Sequence, residues 1–333
     1  MPTKRRVLIP ARAPVMMILA LIGLAGPLAN QAESQGKGPD PATRAKIRLA
    51  TPAPSLSYLP IHIAIRKGFF ARRGFDMEII QMAAGLAAPA LLNRSIDYTT
   101  IPSGRATGAA QGAPLKVICF TSVKLQHLLI SRPEIAAVSD LAGKRIGAGG
   151  LGTLPAYEAR FIIDRYRLGP NTAIISVPSS MDRLIGTQKG SIDAGIVSAP
   201  LDLKAEEMGL KRLLHIGSIL QIPQAGLATT EEKLRSARAE VIEVLKAINE
   251  GLDYTWTQRE GTIEIIARWM NLSPAQAATT YDSVRDTFSK NGIPTDEQAK
   301  AYVAMLGATA GLKGDPSPAV IFDFSFAAEA ARR

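Results

Sequence analysis

Three glycines, Gly149, Gly150 and Gly152, stand between a short apolar strand, Lys144–Ala148, and a helix that opens near Thr153–Pro155. A strand feeding glycines into a helix N-terminus leaves bare backbone N–H groups at the positive end of the helix dipole. That arrangement suits a small anion or polar ligand. The charge–dipole attraction is worth only about 0.3–2 kcal/mol, so the loop can orient a ligand but needs other groups to hold it. The same run, Gly147-Ala148-Gly149-Gly150-Leu151-Gly152, spells the G-x-G-x-x-G of dinucleotide binding. That chemistry also wants an acid at the end of the next strand to grip the ribose. The next strand, Thr172–Val177, ends in Pro178-Ser179-Ser180, with no carboxylate in place. A tight turn with no ligand is the plain alternative.

Other chemistries find less support. His62, His127, His215 and the single cysteine, Cys119, share no ligand spacing, so no metal site, no cofactor and no disulfide framework is expected. Cys119 lies in an apolar β-type run, Lys116–Thr121, and reads as a buried inert thiol. No acid/base pair and no nucleophile beside a base is evident, which argues against an enzyme. His62 reads as an ordinary helix residue. Asp97 and Asp193 read as closing helix-to-strand turns.

The N-terminus bears on compartment. Lys4, Arg5, Arg6 and Arg12 precede an apolar run, Val15–Ala29, followed by small Ala29 and Ala32. This is the length and order of an export signal and is short for a membrane span. Residues 1–32 are expected to be a cleaved signal peptide, leaving a periplasmic protein, and 33–44 a polar leader. Arg5-Arg6 hints at twin-arginine export, but Lys4 stands where Ser or Thr is expected, which favours the general route. Removing residues 1–32 takes four of the 39 basic residues and none of the acidic ones, leaving 35 against 29. That mild excess, without aromatic-interleaved basic clusters, does not support nucleic-acid binding. It permits acidic small ligands.

The elements that must position these residues alternate. Lys46–Ala50, Phe75–Gln81, Ile96–Ile101 and Leu115–Thr121 read as strands, with helices from Pro60, over Pro89–Arg94 and over Arg105–Gln111. This is the pattern of a parallel α/β sheet. It then restarts: Lys144–Ala148 echoes Lys46–Ala50, and Ser191-Ile192-Asp193 echoes Ser95-Ile96-Asp97, at offsets of 98 and 96 residues. Two echoes in the same order favour two similar α/β lobes. Beyond a strand within Leu220–Ala228 the chain reads as helical: Glu231–Thr257, Glu260–Met270, Pro274–Phe288 and Thr295–Gly307. A docked apolar tail, Ile321–Phe326, follows. The helix after the glycine loop is expected to turn Ala156, Phe161, Ile162 and Tyr166 inward.

Ligands of open α/β sheets bind beyond the carboxyl ends of the strands. The loops there, Thr51–Tyr58, Met82–Gly85, Pro102–Arg105, Gly149–Thr153, Pro178–Met181 and Ser198–Asp202, are small, hydroxyl-rich and nearly uncharged. From them the candidate contacts are Ser55, Ser57, Tyr58, Ala84, Ser103, Arg105, Gly150, Gly152, Thr153 and Ser198. Each has a plain reading beside it. Tyr58 could be a packing staple, Thr153 an N-cap, and the serines turn hydrogen bonds. Arg105 beginning a helix opposes the dipole, which a ligand carboxylate or sulfonate would relieve, yet a solvated surface cation is the commoner case.

These residues carry a family resemblance. Pro60–Phe70 (PIHIAIRKGFF), then Gly74-Phe75-Asp76-Met77-Glu78, resembles the opening of the nitrate/sulfonate/taurine-type substrate-binding proteins of ABC importers. Ser139–Gly147 (SDLAGKRIG) resembles their entry to the second lobe, and Gly190–Ala194 (GSIDA) their following turn. The resemblance implies an α/β, two-lobed periplasmic-binding-protein type II fold, each lobe a mostly parallel sheet flanked by helices, with a helical C-terminal part. With the echo offsets it implies lobe one over 45–124 and 226–333, lobe two over 125–225, and hinges near Thr121–Lys124 and Gln224. It further implies a monomer that closes on a small organic anion (a sulfonate, taurine or carboxylate) and delivers it to the transmembrane subunits of a permease with a cytoplasmic ATPase. The alternatives are a receptor module presenting ligand to a membrane sensor, or a binder of a neutral heterocyclic vitamin precursor. The thiamine-precursor branch carries a cysteine-rich motif that this chain lacks.

Overall fold

The computed structural model of the chain describes residues 40–52, 54–150, 152–310 and 316–332. The expected signal peptide and the leader up to residue 39 lie outside the described residues. The first half of the chain runs β1 (Ala45–Thr51), α1 (Leu59–Arg66), α2 (Phe69–Arg72), β2 (Phe75–Gln81), α3 (Ala87–Leu92), β3 (Tyr98–Thr99), α4 (Pro102–Ala110) and β4 (Leu115–Ser122). Next come β5 (His127–Ser131), β6 (Arg145–Ala148), α5 (Leu154–Arg165), β7 (Ala173–Ser176), α6 (Ser180–Gln188), β8 (Ala194–Ser198), α7 (Leu201–Glu207), β9 (Lys211–His215) and β10 (Ala225–Thr230). Helices complete the chain: α8 (Glu231–Ser236), α9 (Arg238–Thr257), α10 (Arg259–Met270), α11 (Pro274–Val284), α12 (Asp296–Ala310), α13 (Pro318–Ile321) and α14 (Ser325–Ala330).

The strands form two five-stranded sheets, ordered β2-β1-β3-β10-β4 and β7-β6-β8-β5-β9. In the first, β1 pairs parallel with β2 and β3, while β10 runs antiparallel to both its neighbours. In the second, β6 pairs parallel with β7 and β8, while β5 runs antiparallel to β8 and β9. Four strands of each sheet therefore share one sense and one is reversed. The reversed strand is in each case the one that arrives from the other sheet. This is the two-lobed α/β arrangement expected, with helices α8–α14 following β10.

The repeat extends to side chains. Asp97 Oδ2 accepts the Arg48 backbone N–H at 2.8 Å, and Asp193 Oδ2 accepts that of Arg145 at 2.9 Å. Each aspartate stands just before the third parallel strand and pins the first. The structural match sets Arg48 against Arg145, one residue off the register suggested by the sequence echo. Sequence signals also hold at helix starts. Ser273 and Gln276 cap α11 reciprocally, at 3.0 and 3.2 Å, with Pro274 in the first turn. The tail is docked: Ile321, Phe322 and Phe326 are buried.

Several boundaries differ from expectation for physical reasons. β5 and β9 are additional strands; β5 is buried from end to end, so it lacks the alternation that marks a half-buried strand. The expected helix Glu231–Thr257 breaks at Ala237 (φ −130°, ψ 38°) into α8 and α9. α4 begins at Pro102 rather than Arg105, since proline is preorganised for the first helical turn. α11 stops at Val284 and continues as a short 3-10 turn, Arg285–Thr287. The buried face of α5 is Leu154, Glu158, Ala159, Ile162 and Ile163; Ala156, Phe161 and Tyr166 are only half-buried.

The Arg145 side chain, by its hydrogen bond first and its charge in addition, holds the Asp193 carboxyl below its ordinary value of 3.8. Such a carboxylate stabilises the fold above that unfolded value, and the contribution is lost as pH falls through the lower folded value. Asp193→Ala is expected to cost about 1 kcal/mol at pH 7, with the difference from wild type shrinking below about pH 4 in urea melts followed by circular dichroism.

Candidate functional site

The two linkers between the sheets leave and enter at one kind of edge. β4 ends at Ser122, opposite Ala225 at the start of β10, and β8 ends at Ser198, opposite His127 at the start of β5. Both crossings therefore join the carboxyl edges of the same-sense strands, and these edges carry the loops where an α/β ligand belongs.

On the second sheet the glycine loop is built by close approach. A Cβ at Gly147 would meet Ile192 Cδ1 at 2.3 Å, and one at Gly149 would meet Thr153 Oγ1 at 2.3 Å. Two glycines of the G-x-G-x-x-G run thus serve packing. Gly152 takes a left-handed φ of +77° to turn the chain into α5. Thr153 occupies the N-cap position of α5 without capping it, because its Oγ1 donates to the Gly150 carbonyl at 2.7 Å. Pro155 brings no N–H to that first turn. The amino end of this 12-residue helix is not closed by its own cap. Ser198 is the last residue of β8 and half-buried rather than part of a loop.

On the first sheet, Ser55 caps a 3-10 turn, Leu56–Tyr58, and its Oγ lies 2.9 Å from that of Ser57. Ser57 is buried, and its carbonyl accepts from Thr121 Oγ1 at 3.0 Å, which ties this turn to β4 near the linker. Tyr58 is buried with its ring 5.9 Å from that of Trp269. Burial pushes its phenol pKa well up. Ser103 lies in the first turn of α4, half-buried. The Ala84 and Arg105 side chains lie outside what the structure describes. The candidates thus fall into two groups, one on each sheet's carboxyl edge.

Sequence reading missed the polar cluster beside the linkers. His127 Nδ1 lies 2.7 and 2.9 Å from the two oxygens of Glu158, which is fully buried on α5. Gln224 Oε1 accepts the Gln126 N–H at 2.6 Å, so its amide nitrogen is the atom 3.1 Å from His127 Nε2. That fixes the imidazole as neutral, its proton on Nδ1 toward the carboxylate. Gln126 Nε2 donates to Thr287 Oγ1 at 2.7 Å. One chain of bonds thus runs from the segment after α11, through both linkers, into α5. The imidazole nitrogen turned away from the carboxylate is thus already engaged, by the Gln224 amide. Cys119 is buried, its thiol pushed up to about 12 by burial. Among the described residues no cluster of three His, Cys, Asp or Glu could hold a metal.

Arg183, also buried, donates to the carbonyls of Val177, Pro178 and Ile196 and to Ser180 Oγ. Desolvation lowers its pKa to about 10 and the Glu158 carboxylate opposes that, so it stays a cation at neutral pH. Gly195 leaves it room, since a Cβ there would come 3.0 Å from Arg183 Cβ. A signal was present: Glu158 is the polar residue between Leu154 and Ile162 on one helical stripe. Glu158→Leu would leave the buried Arg183 with Asp182 as its remaining nearby carboxylate, and His127 Nδ1 without an acceptor. We expect a loss of about 3 kcal/mol in equilibrium unfolding, with Glu158→Gln losing less.

The NMT1/THI5-like family model matches residues 56–261. YtlA of Bacillus subtilis (strain 168), assigned by its name as a binding protein, is 25% identical over 138 residues, 40% of this chain and 41% of YtlA. The chain thus matches about two fifths of that relative's length. Among solved structures, the ligand-binding component of an ABC-type import system from Staphylococcus aureus gives a TM-score of 0.71 at 12% identity, over 87% of this chain and 100% of that one. The periplasmic aliphatic sulphonate binding protein SsuA of Escherichia coli gives 0.67 at 17%, over 83% and 91%. A desulfurization enzyme, DSZB, gives 0.67 at 12%, over 86% and 99%, so the fold is shared by binding proteins and an enzyme. With the matched residues spanning most of both sheets, the chain belongs to the NMT1/THI5-like family.

Proposed function

We propose that this chain is the exported solute-binding component of an ABC importer, taking a small organic anion between its two carboxyl edges and passing it to a membrane permease. The observation that carries the reading is the pair of same-sense carboxyl edges joined by only two linkers, one edge bearing the uncapped amino end of α5. Two linkers side by side form a hinge, and a helix amino end without a cap offers N–H groups and a favourable dipole to an anion. The similarity to a sulphonate-binding protein and to an importer component supports the ligand class and the partner. The lobes in this reading are 45–124 with 226–333, and 125–225, and the apparatus acts by binding without turnover. No helix among the described residues is long and apolar enough to cross a membrane.

The test is a thermal-shift screen of the mature chain against alkyl and aryl sulfonates, taurine, nitrate and carboxylates. A ligand at 100 times its Kd adds about 2.7 kcal/mol, which raises Tm by about 4 °C in a chain of this size. The ligand is expected to be recovered unchanged. Gly150→Phe should abolish that shift with little change in the unliganded Tm, because a Cβ at Gly150 meets only Ser176 Oγ, at 3.6 Å. A retained shift would remove the glycine loop from the site.

A further inference from the structure

A cavity of about 170 Å³ opens on the first sheet alone, between the carboxyl ends of β1 and β2, α1 and Trp269 of α10. Its walls are aromatic and aliphatic. The His62 ring lies flat on Trp269, centroids 3.9 Å apart and planes 9° from parallel, with Tyr58 tilted against the same indole. Leu49, Pro54, Ile61, Ile65 and Ile79 complete the apolar lining. Thr51 and Gln81, the last residues of β1 and β2, are its polar rim.

The lining carries no charge at neutral pH. His62 Nε2 accepts from Arg66 Nε at 3.3 Å, and burial with the Arg66 charge lowers its pKa to about 4. The ring is therefore a neutral aromatic wall. Tyr58, 6% exposed, has a buried hydroxyl without a hydrogen-bond partner of good geometry, although Thr51 and Ser55 lie beside it. A buried hydroxyl without a well-formed partner is under-satisfied, and a ligand atom that bonds to it improves on that. The cavity's volume suits one small ring: a dry cavity of about 150 Å³ takes one benzene.

We propose that this cavity is a ring-binding subsite, so that the ligand is an anion carrying a single small aromatic or alicyclic ring. The ring seats against Trp269 and Ile79, and a polar atom beside it accepts from the Tyr58 hydroxyl. The cavity shares Thr51, Pro54 and Tyr58 with the first candidate ligand loop. The anionic end finds no cation among these walls and lies outside them. The inference rests on the solute-binding reading.

The experiment is calorimetric titration of the mature chain with methanesulfonate, benzenesulfonate and benzyl alcohol, in wild type and in Ile79→Trp. Ile79 is 47% exposed on the edge strand, so a larger side chain there fills the cavity without entering the core. Benzenesulfonate is expected to bind at least tenfold more tightly than methanesulfonate and to lose that advantage in Ile79→Trp. Benzyl alcohol binding that is blocked by Ile79→Trp, with neither sulfonate bound, would uphold the cavity and overturn the anion reading. Equal affinity for the two sulfonates, unchanged in Ile79→Trp, would overturn the subsite and leave the anion reading standing. Failure of all three probes with a folded chain would overturn the subsite.

Discussion

Each sheet of this protein accepts one strand against its grain, and most of the architecture follows from that. β5 and β10 therefore enter their sheets at the edge where the same-sense strands end. Since both are fed from the opposite sheet, the two carboxyl edges are joined by the linkers. The edges proposed to hold the ligand and the linkers proposed as hinges are one consequence of topology.

The linkers carry polar groups that must be satisfied where water is excluded. Gln224, held by the Gln126 backbone, fixes the orientation of an amide, the amide fixes a tautomer of His127, and the tautomer fixes the direction of a bond to Glu158. Buried networks of this kind rigidify when complete and are costly when one member is lost. Glu158 stands one turn into α5, whose amino end follows the glycine loop. The linkers and the glycine loop thus both bear on one helix, the linkers through hydrogen bonds and the loop through the chain.

The division of labour within the glycine loop is equally physical. Gly147 and Gly149 are small because Ile192 and Thr153 occupy the space a side chain would need. Gly152 is glycine because its φ is left-handed. Gly150 has neither constraint. A resemblance to the dinucleotide fingerprint arises here from packing demands that any tight strand-to-helix turn imposes.

What the sequence determined by itself was periodic or local. Alternating apolar runs, proline and glycine at helix ends and the repeated Ile-Asp turn located most of the strands and helices and the two-lobed plan. The export signal was read on residues that lie outside the described structure. Tertiary structure decided the rest. β5 was illegible because a strand buried on both faces has no alternation. The α4 start depended on whether Pro102 closes a loop or opens a helix. The direction of Thr153 Oγ1, the neutral His127 and the charge balance of Arg183 and Glu158 all depend on partners far away in the chain: 31 residues separate His127 from Glu158, and 97 separate it from Gln224. The Trp269 cavity joins α1 to α10 across most of the sequence. Spacing along a chain can announce a turn or a cap, because those interactions are made within a few residues. It carries no information on which distant groups burial will force together.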